Sequence, residues 1–221
     1  MKHKTVEKRQ NSTKSFNGSC ANIITISREF GSGGRELGRL LAGHLGWAYY
    51  DQEIITEVAQ RTLLAEKYVS SIIEQKPIPA FPIHTGTSLS TLEETELHQH
   101  NTVLLEHEKL LRELAVKANC VIVGRCADYI LSEYKPFRVF VYANTEVKIN
   151  RCRFNMRQGE DLSDEELEMK MRQIDVNRAA YYKFFTGREW GQKEHYDICV
   201  NSSCAELKDI AVFIANFVKT R

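Results

Sequence analysis

The chain has 221 residues, enough for one domain with a proper core and a little long for a minimal one. Hydrophobic residues make up 43% and charged residues 27%, and the formal net charge is +1; no global field draws the chain to nucleic acid or to an anionic membrane, so any anion it binds must meet a local cluster of donors. No apolar run approaches the roughly 20 residues of a membrane span, and the six cysteines, with no C-x-x-C pair among them, argue against a zinc site or a disulfide framework and fit a reducing cytoplasm.

Residues 1–21 are basic and polar, without the apolar segment of a secretory signal, and read as a flexible tail ahead of a single domain over 22–221. Residues 23–27 (IITIS) are β-branched and apolar, the mark of a buried strand. A glycine-rich turn follows, then Leu37, Leu40, Leu41 and Leu45 at helical spacing, with Gly46 as the stop. A short second strand over 47–50 leads to Asp51, placed to N-cap a helix containing Ile54, Ile55 and Val58. Residues 65–90 read as a short helix and then an exposed loop broken by Pro77, Pro79 and Pro82.

A long helix is expected over 92–117, with Leu97, Leu104, Leu111 and Ala118 at steps of seven; that stripe suits a core contact within the chain or pairing with a second copy. His98, His100 and His107 on this helix read as surface histidines, because two of them point to different faces. Residues 120–124 (CVIVG) and 137–142 (FRVFVY) are the third and fourth strands, with a short helix over 127–132 between them. A helix over 145–157 ends in Arg151, Arg153 and Arg157. Ser163 with Glu166 forms a capping box for a helix reaching about Tyr182, and residues 196–200 make a fifth strand before an amphipathic last helix. Cys120 and Cys199 lie in strand-like runs, where a free thiol packs as a small hydrophobe. Five short apolar strands alternating with helices specify a three-layer α/β/α fold around a five-stranded parallel sheet.

Ligands of such a sheet bind at the carboxyl ends of the strands. Arg28, Gly31, Ser32, Gly33, Gly34 and Arg35 follow the first strand, Asp51 the second, and Gly124, Arg125 and Asp128 the third. Arg151, Arg153 and Arg157 follow the fourth, and Arg172, Asp175 and Arg178 precede the fifth. Strand, glycine-rich turn and helix present backbone N–H groups to phosphate, and arginine is its preferred bidentate partner. The glycines do not follow G-x-G-x-x-G, so a dinucleotide fold is set aside; nor does the loop end in the G-K-[ST] of a regular P-loop.

The stretches ITISREFGSGGRELG, YYDQEII, VIVGRCADYIL and RQIDVNRAAYY, in this order, resemble the cytidylate kinase-like family, from about Ile23 to the C-terminus. The resemblance implies a P-loop nucleoside monophosphate kinase fold with a helical acceptor-binding insertion (about 60–118) and a lid (about 151–190). It implies ATP and Mg²⁺ as cofactors and a nucleoside monophosphate, CMP or dCMP foremost, as phosphoryl acceptor. Carried over by position, Arg28, Gly31, Ser32, Gly33, Gly34, Arg35, Glu36 and Arg151 would bind ATP. Asp51, Arg125, Asp128 and Asp175 would bind the acceptor, and Arg35, Arg125, Arg172 and Arg178 would act in catalysis. Cys126 stands where the family's G-R-D motif has aspartate. Gly34 stands in the place of the P-loop lysine and Glu36 in that of the Mg²⁺-ligating Ser/Thr, so that either Arg35 or Arg28 takes over the lysine's role. Tyr181, Tyr182, Phe184, Phe185 and Trp190 are expected to pack the lid helix on the core. A nucleotide-binding or sensory module with little kinase activity, and a kinase of another small acceptor, are the competing readings.

Overall fold

The computed structural model describes residues 22–74, 91–156 and 162–220. The expected tail, the proline-broken loop and the loop carrying Arg157 lie outside the described residues. The sheet is all parallel, in the order β2-β3-β1-β4-β5, formed by β1 (Ile23–Arg28), β2 (Ala48–Tyr50), β3 (Cys120–Val123), β4 (Phe137–Tyr142) and β5 (Ile198–Asn201). The helices are α1 (Gly34–Leu45), α2 (Gln52–Thr62), α3 (Glu66–Glu74), α4 (Thr91–Lys117), α5 (Ala127–Ile130), α6 (Thr145–Asn155), α7 (Asp164–Thr186) and α8 (Leu207–Lys219).

The period-2 alternation of the strands divides the core in two. Ile24 and Ile26 of β1, Val121 and Val123 of β3, and Val139 and Val141 of β4 pack against α1 and α8. Ile23, Cys120 and Ile122 point the other way, into a layer made by α2, α3, α4, α5 and α7. Every residue of β1 and β3 is buried, which is why both read as unbroken apolar runs rather than alternating ones.

This layering fixes where a ligand can sit. The chain leaves β1 through α1 on one face of the sheet and leaves β3 through α5 on the other. Since β1 and β3 are neighbours, a crevice opens between their carboxyl ends, the topological switch point.

Three expectations are corrected here. The buried stripe of α4 is Val103, His107, Leu110, Leu111 and Ala115, while Leu97 and Ala118 are exposed. The helix packs on α2 and α3, and the 3.6-residue period of an α-helix makes a strict step of seven drift off the contact. For the same reason His107 is fully buried rather than at the surface. Cys199 is exposed, because β5 is the edge strand and its outer positions carry no helix. The capping box at Ser163 and Glu166 forms as expected, and α7 continues past Tyr182 to stop on Gly187 at φ 71°.

Candidate active site

Beyond Arg28 the chain turns sharply into α1. Gly31 and Gly33 hold φ of 76° and 80°, and a Cβ on Gly31 would lie 3.0 Å from the Cβ of Lys148 on α6. Ser32 closes the turn: its N–H and its hydroxyl donate to the Glu29 carbonyl at 3.3 and 2.8 Å. That hydroxyl is spent inside the loop and Ser32 is fully buried, so its side chain does not face a ligand. The Phe30 N–H donates to both carboxylate oxygens of Asp175 at 2.8 and 3.1 Å. The amides of Gly33, Gly34, Arg35 and Glu36, at the start of α1, have no partner among the described residues. Together with the helix dipole they form the donor set that a phosphate requires.

Arg151 braces this loop from behind. Its guanidinium donates to the Ser32 carbonyl at 3.0 Å and to the hydroxyl and carbonyl of Ser202 at 2.9 and 3.0 Å, while the Ser202 hydroxyl donates to Ser32 O at 2.6 Å. Its donors therefore tie α6, the loop and the end of β5 together. Lys148 adds an ion pair to Glu29 at 3.0 Å.

At the switch point the structure gathers charged side chains under almost complete burial. Arg28 is 8% exposed and Arg125 is 5% exposed. The Arg28 guanidinium lies against Gly124, where any Cβ would strike Nη1, and its Nη2 has no hydrogen-bond partner among the described residues. Burial, then the neighbouring Arg178 and Arg125, lower its pKa to about 9, with Asp51 opposing. Nε and Nη2 of Arg125 lack a hydrogen bond among the described residues, although the group is ion-paired to Glu74 and lies 4.0 Å from Asp51. Burial pushes the Glu74 carboxyl up, but Arg125, the Ser70 hydrogen bond, Arg28 and Arg35 outweigh it and hold the pKa below the usual value. Gly124, Arg125 and Cys126 run at φ of 73°, 64° and 52°, three left-handed residues in succession. Such a run costs on the order of 1–2 kcal/mol for each non-glycine residue, and strain of this kind collects at functional sites.

Asp51 stands at the N-cap of α2 but makes no capping bond there; its own N–H is bound by Glu53 at 3.0 Å instead. Its carboxylate turns to the arginines, 2.6 Å from Arg35 and 4.0 Å from Arg28, with Oδ1 making no hydrogen bond among the described residues. Arg178 reaches in from α7: it donates to the Arg28 carbonyl at 3.2 Å and to Asp175 at 3.0 Å, and lies over the Phe30 ring. Burial lowers the pKa of Arg178 and raises that of Asp175, each partly offset by the other. Arg28, Arg125, Arg178, Glu74 and Tyr181 enclose a space of ≈ 40 Å³, room for a few water molecules and not for a nucleotide.

The sequence pattern of the cytidylate kinase-like family matches residues 23–204. The chain belongs to that family. Among curated proteins it has no match. A crystal structure of an uncharacterized protein from Eubacterium ventriosum is similar at a TM-score of 0.67 and 23% identity, covering 90% of this chain and 99% of that one. Shikimate kinase from Bacteroides thetaiotaomicron follows at 0.53 and 15%, covering 90% and 98%. Shikimate kinase from Acinetobacter baumannii, solved with shikimate, follows at 0.50 and 16%, covering 90% and 94%. At these identities the likeness is one of fold, the P-loop kinase fold.

Of the residues expected to serve this cytidylate kinase-like site, Arg28, Arg35, Asp51, Arg125, Asp175 and Arg178 meet around the crevice, with Gly31, Gly33 and Gly34 beside it. Arg172 stays apart, on the exposed side of α7, paired with Glu168 at 3.1 Å. Asp128 is buried on another side of α5, where it accepts a hydrogen bond from the Tyr182 hydroxyl at 2.6 Å; burial raises its pKa. Glu36 is exposed in the first turn of α1. Tyr181, Tyr182, Phe185 and Trp190 pack on the core as expected, but Phe184 is 57% exposed.

Glu74, His107, Lys148 and Ser202 were not foreseen as parts of the site. His107 carried a signal, since it falls on the apolar stripe of α4. Glu74 carried none, its partner being 51 positions away. His107 lies near enough to Arg125 for that charge to act on it. Burial first, then Arg125, lower its pKa to about 3, and both ring nitrogens are without partners among the described residues.

Proposed function

We propose that this chain transfers the γ-phosphoryl group of ATP to a small anionic acceptor, with CMP and dCMP as first candidates. One observation carries the reading. Three guanidinium groups, Arg28, Arg125 and Arg178, stand together at the switch point beside the start of α1, where the amides of Gly33 to Glu36 have no partner among the described residues. Phosphoryl transfer asks little covalent chemistry of a protein; positioning and charge stabilisation do most of the work. The open amides of Gly33 to Glu36 suit the donor's phosphates, with Arg151 holding the loop in shape. Arg125 and Asp51 suit the acceptor, and Arg178 brings a cation from α7 to the group in transfer. Membership in the cytidylate kinase-like family supports the same assignment.

Magnesium fits this arrangement in its usual way, held by phosphate oxygens and waters with one or two carboxylates rather than by a protein cage. Asp51, whose Oδ1 makes no hydrogen bond among the described residues, and Glu36 are the carboxylates that would serve it. Bound there, the ion would neutralise charge on the β- and γ-phosphate oxygens.

Two other readings rest on particular residues. The Asp51 carboxylate, set between Arg28 and Arg125, is also placed to accept a hydrogen bond from a hydroxyl, which makes an acidic alcohol an alternative acceptor. Gly34 and Glu36 in place of lysine and Ser/Thr favour a nucleotide-binding module with little kinase activity.

Replacing Arg125 tests the proposal. Arg125→Ala is expected to abolish acceptor turnover while ATP binding, followed by calorimetry, survives. Equal loss of both would contradict the role given to Arg125.

A further inference from the structure

A P-loop places one cation, its lysine, against the donor's β- and γ-phosphates. Here the lysine's position is Gly34, and two arginines are near enough in sequence to replace it. They differ in the fold. Arg35 points outward: its side chain is 51% exposed and its Nε is committed to Asp51 at 2.6 Å. Arg28 points inward, with a side chain 9% exposed, Nη2 making no hydrogen bond among the described residues and its guanidinium between the ends of β1 and β3.

The stem of Arg28 also explains the glycine. A Cβ built on Gly34 would lie 2.5 Å from the Cβ and 2.9 Å from the Cγ of Arg28. These are not the far end of a flexible chain but its root, which cannot swing away. A side chain at 34 and a side chain at 28 therefore exclude each other. Gly34 has no left-handed φ to account for it, so the space taken by Arg28 is the reason for the glycine.

We infer that Arg28 and Gly34 are a positional exchange: the cation that bridges the donor's β- and γ-phosphates comes from the last residue of β1, and position 34 is empty to let it pass. The inference rests on the phosphoryl-transfer reading and deepens it by naming the donor-side catalytic residue. In the step itself the bond between the γ-phosphorus and the β,γ-bridging oxygen breaks, and its electron pair stays on the β-phosphate of ADP. The new bond forms from an acceptor oxygen to the γ-phosphorus. No proton has to move when the acceptor is an ionised phosphate. Arg28 meets the charge that accumulates on the bridging and β-phosphate oxygens, and its planar fork spans two of them where a lysine would meet one.

The test is calorimetric binding of ATP, ADP and AMP, alongside ADP formation, for Arg28→Ala, Arg35→Ala, Gly34→Lys and the double variant Arg28→Gly with Gly34→Lys. Arg28→Ala is expected to lower ATP affinity toward that of AMP, and to cut turnover by about 100-fold or more, as loss of one charge-stabilising donor does. Arg35→Ala should lose less of both. Gly34→Lys alone should lower the melting temperature, because its stem has no room. In the double variant the room is restored, and ATP affinity should recover relative to Arg28→Gly, measured in parallel as the background. Equal ATP affinity for wild type and Arg28→Ala, or a Gly34→Lys protein as stable and as active as wild type, would overturn the inference. A wild type that binds ATP but turns over no acceptor would end the kinase reading while leaving the Arg28 effect on ATP affinity to decide this one. A wild type that binds no ATP would sink both.

Discussion

At the scale of single residues, the site is a set of buried charges that balance incompletely. Arg28, Arg125 and Arg178 face Asp51, Glu74 and Asp175, yet Nη2 of Arg28 and Nε and Nη2 of Arg125 remain without hydrogen bonds among the described residues. An unpaired buried donor costs on the order of 1–3 kcal/mol, more when charged, so an anion entering the crevice recovers energy the fold has already forgone. Phosphate should accordingly raise the melting temperature of wild type, and much less that of Arg125→Ala, while ATP should stabilise both. His107 sits behind the same group as a buried neutral imidazole. Its pKa of about 3 in the folded chain lies below the ordinary 6.5, so between those values the unfolded chain binds the extra proton. Stability from this group is full above about pH 6.5 and falls as pH drops toward 3. His107→Leu should flatten that part of the acid limb in urea titrations at pH 7 and pH 5; an unchanged difference between the two pH values would contradict the assignment. The arginines and glycines of the site were visible in the sequence because they flank apolar runs. Glu74 was not, because a pairing across 51 positions leaves no local trace.

At the scale of elements, signals that depend on near neighbours were legible and those that depend on packing partners were not. The capping box of α7 could be read because Ser163 and Glu166 bond to one another's backbone three residues apart. Ser163→Ala should cost about 1 kcal/mol, seen as a lower urea midpoint with an unchanged slope. The misplaced stripe of α4 shows the opposite case: leucines at steps of seven looked like a seam, but burial follows Val103, His107, Leu110 and Ala115, set by α2 and α3. Asp51 shows a third case, a residue in the capping position whose carboxylate is drawn to three arginines instead. At the end of α2, Leu63 holds φ 57° with its side chain in solvent, a place where glycine carries no strain. Leu63→Gly is expected to raise stability by up to about 1 kcal/mol. A lower melting temperature would mean that this exposed leucine makes contacts the fold depends on.

At the scale of the whole molecule, five parallel strands between helical layers could be read from the alternation of short apolar runs with helices. The strand order could not, because it depends on which face each connection takes. That order, β2-β3-β1-β4-β5, makes β1 and β3 neighbours and sends their connections to opposite faces. It brings Arg28 and Arg125, 97 positions apart, into one crevice. Family membership, the P-loop kinase fold and this convergence all bear on one claim, that the chain transfers phosphoryl groups. The most direct measurement is ADP formation by the purified protein with ATP, Mg²⁺ and each of CMP, dCMP, UMP, AMP and GMP, and with shikimate as an acidic alcohol. The account predicts turnover with at least one of these above the rate without acceptor, with CMP or dCMP foremost. Tight ATP binding with no acceptor raising ADP formation above that control would contradict it, and would leave a protein that holds the nucleotide without spending it.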